Sequence, residues 1–100
     1  MKVILAPLSI SDLRAIGDHI ALSDPVRAAT FIEELFDAAL DLAQMPNRFP
    51  LVEGRRDMRH RTVGKYLIFY RVDAASVDVA RILHGARDYH SLLDIAPGAD

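Results

Sequence analysis

Apolar residues recur along this chain with two periods, helical in the first half and strand-like in the second. Residues 2–6 form a short apolar run closed by Pro7, too short for a helix and read as an edge or buried strand. Leu13, Ile16 and Ile20 then return at helical spacing, and Ser9 with Asp12 three residues later predicts a capping box at the start of that helix. Gly17 costs such a helix roughly 1 kcal/mol relative to alanine, which points to a close helix contact there. Asp24-Pro25 marks a second start, with an N-capping carboxylate before a proline whose missing N–H is harmless at the first helical position. That helix is predicted to run to about Gln44. Phe31, Ile32, Leu35, Phe36, Ala39, Leu40, Leu42 and Ala43 form a wide stripe assigned to the core, with Glu33, Glu34, Asp37 and Asp41 largely off it. The short connection at Ser23 predicts an antiparallel helix hairpin.

Met45-Pro46 ends the helical pattern, because a proline disfavours helical geometry in the residue before it, and an irregular connection follows through Gly54. Residues 59–63 read as a strand, leading through Gly64 into a strand over 65–72. A polar turn at 73–76 leads into another over 76–84, the pairing signal of an antiparallel meander. Residues 89–95 predict a short terminal helix before Pro97. The expected fold class is therefore α+β: an N-terminal strand, an antiparallel two-helix hairpin and a three-stranded antiparallel meander, β-α-α-β-β-β, with the helices on one sheet face. The other face is left for function.

Composition narrows the class. One hundred residues with 51% hydrophobic and 26% charged side chains fit a single domain over residues 1–100, with a tail from about residue 95 expected to be flexible. No apolar run approaches the roughly 20 residues of a membrane span, and Pro7 interrupts the only stretch with signal-peptide character, so a cytoplasmic protein with no membrane partner is expected. The absence of cysteine removes disulfides, thiolate catalysis and Cys-ligated zinc. No His or carboxylate pair has metal-ligand spacing, so neither metal nor cofactor is expected; Asp12/Asp18 and Asp37/Asp41 are read as helix-surface charges. The net charge of -2 hides an asymmetry, because residues 1–53 carry four basic and eight acidic side chains and residues 54–93 carry eight basic and four acidic. A net-acidic chain is a poor generic binder of nucleic acid, and no sequence-specific DNA binding by this chain alone is expected.

Five segments together resemble a known family: Asp12-Leu13-x-x-Ile16, Asp24-Pro25-x-x-Ala28-x-x-Phe31, Leu42-Ala43-x-x-Pro46, Tyr66-x-Ile68-x-Tyr70-Arg71-Val72, and Arg81-Ile82-Leu83-His84-Gly85-Ala86-Arg87-Asp88. The chain is similar to the ParE/RelE superfamily of bacterial toxin–antitoxin toxins over about residues 3–93, and its ending is similar to ParE-type members. The resemblance implies a small toxin neutralised by a cognate antitoxin protein. ParE-type toxins poison DNA gyrase by binding, whereas RelE-type toxins cleave messenger RNA in the ribosome. A third reading, a non-toxic relic that still binds antitoxin, is also compatible.

The candidate residues cluster in the second half. On the ParE-like reading, Arg59, Arg61, Arg81, His84 and Arg87 form a gyrase-binding surface and no catalytic residue is assigned. On the RelE-like reading, Arg61 and Arg81 hold phosphate while His84 or Tyr89 moves protons. Only two lysines and a pI near 6.0 weigh against that nuclease. Each candidate also has a structural explanation. His84 can bond backbone and close the turn before Gly85, Arg87 and Asp88 can anchor the tail through ion pairs, and the basic run 55–65 can be a solvated surface or meet an acidic antitoxin segment. Arg81 lies among Val79, Ile82 and Leu83, where a guanidinium needs a partner.

Overall fold

The computed structural model describes residues 1–93, and over them the two periods become seven elements. They are β1 (Lys2–Leu5), α1 (Pro7–Ala21), α2 (Pro25–Asp41), β2 (Arg59–Val63), β3 (Tyr66–Val72), β4 (Ser76–His84) and α3 (Tyr89–Leu93). The expected end of the last helix at Ile95 and the tail beyond it lie outside the described residues. β2, β3 and β4 form the expected antiparallel meander, and the strand order is β1-β4-β3-β2. β1 adds to the edge beside β4 and runs parallel to it, pairing Lys2 with Ser76 and Leu5 with Val79, so the whole sheet is mixed. The class is α+β.

Two helix ends differ from expectation. α1 begins at Pro7, with Ala6 as an N-cap that makes no side-chain bond, so Ser9 and Asp12 do not form a capping box. Proline fits the first helical position, and the helix therefore starts directly off β1. Ser9 is buried in that first turn and donates its hydroxyl to the Ala6 carbonyl at 2.7 Å. At α2 the predicted cap is present, since Asp24 Oδ1 accepts from the Arg27 N–H at 3.0 Å and Pro25 follows it. α2 ends at Asp41 rather than Gln44. Residues 42–44 tighten into i to i−3 bonds ahead of Pro46, whose ring opposes helical geometry at Met45.

The helices pack on one sheet face because each has a stripe that needs covering. Ile16, Phe31, Leu35, Ala39 and Leu42 meet Ile68, Tyr70, Val77, Val79 and Ile82 of the sheet. Gly17 is where the helices approach, since a Cβ placed there would lie 3.3 Å from Ile32 Cγ1. The stripe assigned to the core on α2 is wider than the core itself: Phe36 and Leu40 are 41% and 44% exposed. The opposite sheet face is only partly available, because Val52 and Met58 of the long connection and Leu93 of α3 cover Phe69, Ala80 and Leu83.

A bulge in β4 decides where its side chains go. Phe69 pairs with Arg81, but Tyr70 pairs with Val79, so Ala80 is the extra residue. Strict alternation from Val77 and Val79 would turn Arg81 into the apolar helix-side core. The bulge shifts the phase by one, so that Ile82 takes that place and Arg81 lies opposite Phe69. The β2–β3 hairpin turns at Gly64 and Lys65; φ at Gly64 is +59°, a conformation that glycine adopts without a Cβ penalty.

Candidate functional site

The Gly64 turn and the end of β4 meet at one end of the sheet, where Tyr66 pairs with His84 and the Gly85 N–H donates to the Lys65 carbonyl at 2.8 Å. The last turn of α1 comes to the same place and contributes His19. Two adjoining clefts share His19, Tyr66 and His84. One, of about 340 Å³, is also lined by Asp12, Ile16 and Arg87; the other, of about 440 Å³, by Arg27, Phe31 and Lys65. Asp12 is the one acidic lining residue, and Arg81 pairs with it, so this end of the molecule presents the cations Lys65 and Arg87 beside His19 and His84.

His84 is fixed by two contacts. Its Nδ1 accepts the Ala86 N–H at 3.0 Å, closing the turn after β4, and its ring stands edge-on to Tyr66 at 5.1 Å between centroids. That leaves Nε2 as the ring nitrogen not used in the turn. Arg87 follows two residues after Gly85 and is exposed, with no side-chain ion pair among the described residues. Tyr89 packs its ring on Phe69 at 5.0 Å and on His90 at 4.7 Å, on the face away from the helices.

The other predicted site residues are engaged inside the fold. Arg81 is 8% exposed, and its Nε and Nη2 donate to the two oxygens of Asp12 at 2.8 and 2.9 Å. Asp12 Oδ2 also accepts the Ile82 N–H at 2.9 Å, covering the edge of β4 where β1 has stopped. Asp12 is therefore a buried partner and not a helix-surface charge. The carboxylate holds the Arg81 guanidinium above its ordinary pKa, against the opposing effect of burial. Arg61 donates to the Ala38 carbonyl at 3.0 Å and to Asp41 at 3.1 Å, a cation set against the carboxyl end of α2, and lies 4.9 Å above the Phe49 ring. Arg59 donates to the Phe49 carbonyl at 2.6 Å. It pairs across from Tyr70, far along the hairpin from the Tyr66–His84 end. The five arginine and histidine candidates thus do not form one surface: His84 and Arg87 share the cationic cleft, while Arg59, Arg61 and Arg81 tie elements together.

The basic connection is pinned in the same way. Asp57 accepts from Arg55 at 3.1 and 3.0 Å and from Arg71 at 3.3 Å, and the Tyr70 hydroxyl donates to the Pro46 carbonyl at 2.6 Å. The Arg55 hydrogen bonds dominate in lowering the Asp57 carboxyl from 3.8 to about 2. Because the folded value is depressed, the associated stability is present above pH 3.8 and lost as pH falls through about 2. Asp57 is 46% exposed, so solvent screening keeps this contribution to about 1 kcal/mol or less. Asp57→Asn should flatten the acid limb of the stability curve between pH 4 and 2, measured by urea unfolding.

Sequence reasoning missed His19 and Asp12 as site-shaping residues. The signal was present in part: Asp12, Ile16 and His19 recur at i, i+4 and i+7 and so share one helix face. Among the described residues, no group of three His, Asp or Glu side chains could hold a metal ion, and no helix is long and apolar enough to cross a membrane.

The pattern of the family described as ParE toxin of type II toxin–antitoxin system, parDE, matches residues 3–89. The chain belongs to the ParE toxin family. Two solved structures share its fold. A chain of the chromosomal ParDE toxin–antitoxin system from P. aeruginosa superposes with a TM-score of 0.75 at 20% identity, covering 84% of this chain and 95% of that one. A chain of the RelBE2 toxin–antitoxin complex from Mycobacterium tuberculosis gives a TM-score of 0.62 at 20% identity, covering 83% and 95%. No curated protein sequence matches. As a ParE family member, this protein is a toxin of a type II toxin–antitoxin system.

Proposed function

We propose that this ParE-family toxin inhibits DNA gyrase by binding it and is held inactive by a cognate antitoxin. The observation that carries the binding mechanism is that the residues the nuclease reading assigns to one phosphate lie apart. Cleavage of a ribose phosphate requires a base, an acid and positive charge converging on one phosphate. Here Arg81 is committed to Asp12, Arg61 to α2, and Tyr89 packs on Phe69, so neither guanidinium stands beside His84 with its donors available. What His84 does share a cleft with is Arg87 and Lys65, cations that suit recognition of an acidic surface.

Purified toxin should abolish supercoiling by gyrase at micromolar concentration and leave ribosome-bound messenger RNA intact. Cleaved messenger RNA with unaffected gyrase would replace this reading with a ribosome-dependent nuclease. Supercoiling that persists at all concentrations would remove gyrase as the target.

A further inference from the structure

Past Leu5, β1 no longer covers the edge of β4, and that open edge forms one wall of the cleft of about 340 Å³. The Gly85 N–H bond to the Lys65 carbonyl sets the phase of the ladder there, so Leu83 and Gly85 turn their backbone groups toward β3 while Ile82 and His84 turn theirs outward. Asp12 takes the outward N–H of Ile82 at 2.9 Å, and the His84 N–H is the next donor along the edge. The His84 ring supplies another, because Nδ1 accepts from Ala86 and the ring proton therefore sits on Nε2. Arg87 and His19 line the same cleft. The acids nearby are engaged: Asp12 is held by Arg81, and Asp88 Oδ2 accepts the Ser91 hydroxyl at 3.2 Å. Donors gathered in this way complement a carboxylate. The adjoining cleft of about 440 Å³ is apolar instead. Ile20, Phe31 and Tyr66 line it, and Gly64 adds no side chain over the Phe31 ring, 3.3 Å from where a Cβ would stand. Exposed Lys65 borders it.

We propose that the two clefts together read one feature of the target protein, an Asp or Glu with a large apolar residue next to it. The carboxylate enters among the His84 N–H, His84 Nε2 and Arg87, and the apolar side chain lies on Tyr66. The proposal rests on the gyrase-binding reading and adds the chemistry of the segment that is bound. Charge selects a protein ligand over DNA. Nucleic acid presents a row of phosphates, whereas this end offers Lys65 and Arg87, with Arg27 already bound to Glu34 at 3.1 Å, on a chain of net charge -2. The apolar second cleft matches an aliphatic side chain beside the carboxylate.

The test is amide chemical-shift titration of the full chain with three blocked tripeptides, acetyl-Leu-Asp-Leu-amide and its Leu-Asn-Leu and Ala-Asp-Ala counterparts, and with single-stranded oligothymidylate. Leu-Asp-Leu at millimolar concentration is expected to shift the amides of Gly64, Tyr66, His84 and Gly85, and either counterpart to bind about tenfold more weakly. His19→Glu, exposed in the last turn of α1, places a carboxylate where the clefts adjoin. It should remove the tripeptide shifts and weaken gyrase inhibition at least tenfold while the thermal melt stays that of wild type. No shifts with Leu-Asp-Leu, or equal shifts with all three tripeptides, would overturn the proposal and leave gyrase inhibition by wild type standing. Oligothymidylate that shifts these amides in place of the tripeptide would overturn it by making nucleic acid the ligand. Tripeptide shifts without any inhibition of gyrase would support the ligand chemistry and overturn gyrase as the protein that carries it.

Discussion

Arg81→Ala is expected to lower the unfolding free energy by about 3–5 kcal/mol, the usual cost of removing one partner from a buried ion pair. The substitution leaves the Asp12 carboxylate buried at the edge of β4 with the Ile82 N–H as its remaining donor. Asp12→Ala should cost a similar amount, because it strands a guanidinium that is almost fully buried. For a domain with a total of roughly 5–15 kcal/mol, either change takes a large share of the stability. Arg81→Lys will not rescue it, since an ammonium cannot reproduce the two parallel bonds from Nε and Nη2. The double variant Asp12→Leu with Arg81→Met should recover part of the loss, because the pair is then replaced by apolar volume while the Ile82 N–H stays unpaired. Urea unfolding monitored by circular dichroism measures all four. Single-variant losses under 1 kcal/mol would show that the pair does not join α1 to the sheet in solution. Loss of toxicity in Arg81→Ala therefore reports on folding, and Arg81 does not serve to map the target-binding surface.

Arg87→Glu combined with Lys65→Glu is expected to weaken gyrase inhibition at least tenfold, which corresponds to about 1.4 kcal/mol of binding. Both side chains border the clefts at the His84 end, Arg87 is exposed, and reversing their charge opposes an acidic partner surface. Stability should change by no more than about 0.5 kcal/mol, as for most surface substitutions. His84→Ala should act in the same direction with a smaller stability cost than Arg81→Ala, since it gives up the bond to the Ala86 N–H in an exposed turn. Supercoiling assays alongside thermal melts separate the two effects. Full inhibition by the charge-reversed double variant would move the target surface away from this end.

The sequence made the element order legible because each signal was local. Asp24-Pro25 caps α2 as expected, Gly17 marks the close approach to Ile32, and the turn at 73–76 joins β3 to β4. The need of Arg81 for a partner was legible too, from its apolar neighbours. Its identity was not, because Asp12 lies 69 residues away and only the fold brings them together. The bulge at Ala80 was equally hidden, since register is a property of two strands and not of one. Local logic misled where two roles fit one pattern. Ser9 and Asp12 have capping-box spacing, yet Pro7 starts the helix and leaves Asp12 for Arg81. Phe36 and Leu40 have core character, yet they sit on the side of α2 that the sheet does not reach.

On the binding mechanism proposed above, this toxin acts by occupying its target and not by turning over a bond. Titrating a fixed concentration of gyrase with the purified toxin, and reading supercoiling at each step, separates occupancy from turnover. Occupancy gives inhibition that saturates near stoichiometric toxin, leaves nucleic acid intact and is reversed when antitoxin is added. Complete inhibition at a hundredth of stoichiometry, accompanied by cleaved nucleic acid that antitoxin does not restore, would instead make the toxin a nuclease that turns over.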